Sequence, residues 1–111
     1  MPIWQIAPVT DKPEVSIYHW RILETDKGTR HFVGADEHDG SGRVSTAIVA
    51  FDRSARHGKT RSGRVYHLIG EPGYSDNGEY VWTQWCKVND VASCVDVTRQ
   101  ALAEEADDNP A

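Results

Sequence analysis

The chain has 111 residues, 39% apolar and 26% charged, with twelve bases against seventeen acids and a formal net charge of −5. That length supports one domain with its own core and no need of disulfide or metal, and the composition excludes wholesale disorder. A pI near 5.4 excludes a general nucleic-acid coat protein, whose domain pI usually exceeds about 9, and the longest apolar run, Ala47 to Phe51, is too short to span a membrane.

Residues 1–13 contain Pro2, Pro8 and Pro13, which disfavours a regular helix or a central strand. Ile3, Trp4, Ile6 and Val9 in the same stretch are costly to expose, so it reads as an extended arm laid over the body or over a partner. It lacks the basic start and long apolar run of a secretion signal, and a cytoplasmic location is expected. A first strand is predicted at Val15–Glu24, rich in β-branched and aromatic residues. Its apolar residues fall on both faces: Tyr18, Trp20 and Ile22 on one, Val15, Ile17 and Leu23 on the other. Such a strand lies centrally or at strong curvature.

Thr25 to Gly28 is a turn, and Thr29–Ala35 returns as a second strand. After the polar loop Asp36–Gly42, the densest β-branched stretch, Arg43–Asp52, predicts a third strand. Ser62-Gly63 reads as a tight turn leading into a strand over Arg64–Ile69. Gly70 to Gly73 breaks the pattern, Asp76-Asn77-Gly78 signals another turn, and Glu79–Lys87 is predicted as the last strand. Val91, Cys94, Val95, Thr98 and Leu102 then fall on one helical stripe, capped by Asn89 or Asp90. Residues 104–111 form an acidic tail with Glu104, Glu105, Asp107 and Asp108. The expected fold is an α+β single domain: a small antiparallel meander of five or six strands covered by one C-terminal helix, with a partly open SH3-like barrel as the alternative.

Chemistry-bearing motifs are absent from the sequence. His19, His31, His38, His57 and His67, with Cys86 and Cys94, lack the close spacing of structural zinc ligands, and the loop around Asp39-Gly40 fails as a calcium loop because Ala35 and Thr46 occupy positions that need acidic ligands. No nucleophile elbow or phosphate-binding glycine loop is present. No catalytic residue, metal or cofactor is expected, and the two cysteines read as reduced and buried.

The strongest functional signal is charge segregation. Arg53 to Arg64 carries Arg53, Arg56, Lys59, Arg61 and Arg64 and no acid; the remaining residues hold seven bases and all seventeen acids, so a +5 segment sits in a −10 body. A concentrated field attracts an anionic partner even when the whole protein is acidic, and arginine forks pair well with phosphate or carboxylate. The leading expectation is a non-enzymatic interaction module whose basic hairpin contacts nucleic acid or an acidic protein surface. Trp4 and Trp85 are candidate aromatic anchors. Two alternatives stand beside it: an acidic accessory or inhibitor protein of a mobile element that masks a basic partner, and a small enzyme or ligand-binding barrel with a sheet–helix pocket near Tyr66, His67, Glu79 and Cys86. A homodimer through the arm and the uncharged edge of the first strand is also expected.

Overall fold

The β-branched and aromatic run after Pro13 forms one long strand, β1 (Glu14–Thr25), and the rest of the sheet is built around it. A computed structural model of the chain describes residues 13–103. The elements that follow are β2 (Arg30–Asp36), β3 (Gly42–Val44), β4 (Ile48–Asp52), β5 (His57–Thr60), β6 (Val65–Ile69), α1 (Asp76–Val88), β7 (Cys94–Asp96) and α2 (Thr98–Ala103). The sheet order is β3-β2-β1-β6-β5-β4, with β7 added to β1. β1 and β6 run parallel while every other pair is antiparallel. The α+β class holds, with a mixed sheet in place of a meander.

The apparent two-faced pattern of β1 has a local cause. Register against β2 shifts between Tyr18 and Arg21, and His19 sits there with φ 49°. A bulge of this kind inserts one residue and reverses the facing of everything beyond it. Val15 and Ile17 before it therefore join Trp20 and Ile22 after it in one core, with Phe32, Tyr66, Leu68, Val97 and Ala101. β6 pairs with β1 only up to Tyr18, and beyond the bulge β7 takes that edge, pairing with Leu23 to Thr25. β1 is thus interior on both sides, so its VSIYHW segment is no edge for a second copy; residues 1–12 of the arm, with Trp4, lie outside the described residues.

Three sequence expectations are corrected. The stretch 79–87 is not a strand but most of α1. Ser75 caps it, its Oγ accepting from the Gly78 N–H at 3.0 Å, with Asp76 and Glu79 in the first turn and Lys87 in the last, as the helix dipole favours. Trp82, Trp85 and Cys86 form a helical stripe packed with Leu23, Val33 and Val44 in a second core. The close approach depends on Gly78, where an added Cβ would stand 2.8 Å from the Gly34 carbonyl oxygen. The stretch 43–52 is broken into β3 and β4 because the chain between them serves other backbones. The Ser45 N–H and hydroxyl bond the Phe32 carbonyl and N–H, and the Ala47 carbonyl accepts from the Arg61 N–H. Finally, the single helix expected after Asn89 is interrupted. Asp90 takes φ 59°, Cys94–Asp96 pairs with β1, and only Thr98–Ala103 is helical. Cys94 is consequently exposed rather than buried, while burial, with Cys94 and Asp26 nearby, pushes the Cys86 thiol up to about 11.

His31 sits where the second core meets β2, 4.5 Å from the Trp85 ring and 5.8 Å from Trp82. The Ser45 carbonyl can only accept, so Nδ1 donates to it at 2.9 Å, leaving Nε2 to accept from the Thr29 hydroxyl at 2.8 Å. Burial holds the His31 pKa below its ordinary 6.5; Arg61 lowers it further and the Ser45 bond opposes both. The unfolded chain therefore binds this proton more readily than the native one. Stability from neutral His31 is complete above the ordinary value and is lost as pH falls below it through the lowered native value. His31→Gln should show a shallower loss of urea stability than the unaltered chain between about pH 7 and pH 5. Parallel slopes would contradict this.

Candidate binding groove

The two turns of the basic segment place its members differently. Arg53 opens the turn after β4, and Arg61 opens the turn after β5, where its backbone is tied to Ala47 and the Ser62 N–H bonds the Thr46 hydroxyl at 3.1 Å. Both border a groove of about 860 Å³ that runs along β4. Ile22, Ile48, Phe51 and Ala101 give it apolar walls, and Arg30, at the start of β2, also lines it. Arg30 is held by Glu24 at 2.8 Å. Three arginines from separate parts of the chain thus line an apolar trough, with Asp52 as the acid among its lining residues.

The remaining bases are elsewhere. Lys59 is exposed on the outer face of β5, between inward Gly58 and Thr60. Arg56, at φ 58°, lays its guanidinium 5.7 Å from the centroid of the Trp20 ring, a cation–π contact that fixes it against the fold. Arg64 is 2% exposed and belongs to the interior. Together with Arg43 it faces the Tyr66 hydroxyl, whose pKa burial raises against the pull of both cations. Arg43 is in turn paired to Asp36 at 3.0 Å. Trp85 is half-buried, stacked on Trp82 at 5.2 Å and 10°, so it serves the second core.

β4 forms one border of the sheet: among the described residues it pairs with β5 alone. Its register is disturbed between Ile48 and Ala50, which leaves Val49 59% exposed beside the groove. A strand border flanked by apolar walls and arginines can take an extended chain: backbone groups pair with the edge, apolar side chains enter the trough, and carboxylates meet the guanidinium forks. Sequence reasoning found Arg53 and Arg61 through charge density. It missed Arg30, Ile22 and Ala101, distant in sequence and brought together by the curl of the sheet and the seating of α2.

The residues raised as enzyme candidates do not share a site. Tyr66 is in the first core, His67 on the opposite face of β6 bonded to Glu14 at 2.7 Å, Cys86 in the second core, and Glu79 paired with Arg21 at 2.9 Å. Among the described residues no three His, Cys, Asp or Glu side chains come together as metal ligands, and no helix is long and apolar enough to cross a membrane. No family model, curated protein or solved structure matches the chain.

Proposed function

We propose that the protein is a non-enzymatic interaction module that captures an extended acidic segment of a protein partner in the groove along β4. The observation that carries this is the convergence of Arg30, Arg53 and Arg61 on an apolar trough beside a border strand. An acidic peptide alternating carboxylate and apolar side chains matches both chemistries, because successive residues of a strand point to opposite faces. A nucleic acid fits less well. Asp52 and Glu24 stand among the arginines, and Arg56, Lys59 and Arg64 are turned away, so no continuous track for phosphates is assembled among the described residues.

Fluorescence anisotropy with a short labelled peptide alternating glutamate and valine tests this. Each charge-assisted hydrogen bond contributes about 1.5–3 kcal/mol, so Arg53→Glu with Arg61→Glu should weaken binding by at least about tenfold. Salt raised from about 50 to about 300 mM should weaken the unaltered complex as well. Unchanged peptide affinity in the double variant would overturn the proposal. So would an oligonucleotide bound more tightly than the peptide and lost on the same reversals, which would assign the surface to nucleic acid.

A further inference from the structure

We propose that the chain carries its own ligand for this groove: the acidic stretch Glu104–Asp108, directly after α2, competes with the partner for the arginines along β4. The inference rests on the binding role given to the groove. Its first support is position. α2 ends at Ala103, and Ala101, two residues before that point in the helix's last turn, is itself part of the groove wall. The acidic stretch is therefore joined in sequence to a residue of the groove wall by only two intervening positions, Leu102 and Ala103.

Length is the second support. Residues 104–111 can extend over about 26 Å at about 3.3 Å per residue, whereas a five-residue strand such as β4 is about 17 Å long. The third is charge. Glu104, Glu105, Asp107 and Asp108 are four acids among eight residues with no base, and the groove presents Arg30, Arg53 and Arg61. A segment tethered this closely acts at an effective concentration on the order of millimolar. A weak intramolecular contact is then enough to raise the affinity that an outside partner needs. The acidic stretch lowers the apparent affinity of every outside ligand of the groove by one common factor, so a partner must bind tightly enough to displace it.

The test uses the full-length chain and a variant with Glu104→Gln, Glu105→Gln, Asp107→Asn and Asp108→Asn. A control variant with Glu37→Gln and Asp39→Asn removes exposed acids from the loop at the far end of β2 and reports any general effect of net charge. Amide hydrogen exchange over residues 48–53 should be about fivefold to tenfold faster in the tail variant than in the unaltered chain, with β1 and β6 unchanged. The glutamate–valine peptide should bind the tail variant about fivefold more tightly, and the control variant should behave like the unaltered chain in both measurements. Equal exchange and equal peptide affinity in the unaltered chain and the tail variant would overturn the inference, as would a control variant that reproduces the tail effect. The two proposals fail separately. If the peptide binds all three forms equally and is lost on reversal of Arg53 and Arg61, the groove binds partners but the tail is not its ligand. If exchange responds to the tail while the peptide binds no form, the tail docks and the partner role of the groove is wrong.

Discussion

Asp36→Ala should destabilise the fold by about 3–5 kcal/mol, the range for removing one partner of a buried ion pair. Asp36 is 3% exposed and Arg43 8%. The carboxylate accepts from Arg43 Nε at 3.0 Å through one oxygen and from the His38 N–H at 2.8 Å through the other. Removing it leaves a cation buried without compensation beside a second one, Arg64, across the Tyr66 hydroxyl. Arg43 has no slack to absorb the loss, since its Nη1 is already buried without a hydrogen-bond partner. The double replacement Asp36→Leu with Arg43→Met removes both charges and should recover most of the lost stability, because an apolar pair of similar volume is often neutral or better. Urea unfolding of the two variants checks this. A single variant within about 1 kcal/mol of the unaltered chain would mean that the pair is not desolvated as described.

Deletion of His19 should cost about 3–6 kcal/mol. Without the extra residue, the half of β1 held by β2, β7 and the second core keeps its register. Residues 14–18 must then turn over, exposing Val15 and Ile17, which are 3% and 0% exposed. Each such side chain contributes about 1.5–3 kcal/mol when fully buried. His19→Gly keeps the residue count and suits φ 49°, so it should remain within about 1 kcal/mol of the unaltered chain. The contrast separates the spacing of the strand from the chemistry of the imidazole. A deletion no more harmful than the glycine substitution would contradict the bulge as the device that unites the first core.

The same bulge shows why β1 was legible in the sequence as a strand but not as a sorted one. Composition located Val15–Glu24 correctly, and the turns at Thr25 and Ser62 followed from local residue chemistry. Facing depends on where one residue leaves the ladder, and a histidine at positive φ carries no strong signal for that. α1 was misread because Tyr80, Val81, Trp82 and Trp85 favour strands by composition, whereas the cap at Ser75 and the stripe from Gly78 through Trp82 to Trp85 and Cys86 argue helix. Here packing against β2 and β3 decided, as it commonly does over intrinsic propensity. The opposite error followed Asn89. A helical stripe was present, but the border of β1 left vacant beyond Tyr18 recruited Cys94–Asp96 as a strand, a long-range outcome that local periodicity does not contain.

Charge density had the same reach and the same limit at the candidate site. It marked Arg53 and Arg61, yet it also marked Arg64, which the alternation of β6 turns inward, and it passed over Arg30, which the curled sheet carries to the groove. A run of bases in sequence need not be a basic surface, because in a strand every second side chain faces the core.

Where the acidic peptide lands is the most direct measurement. Amide chemical-shift mapping of the full-length chain titrated with the glutamate–valine peptide should move residues 47–54, Arg30 and Arg61. It should leave Lys59, the α1 face at Tyr80 and the loop at residues 37–41 in place. Shifts concentrated on Lys59 and the outer face of β5, or spread evenly over the surface, would contradict the groove as the binding site.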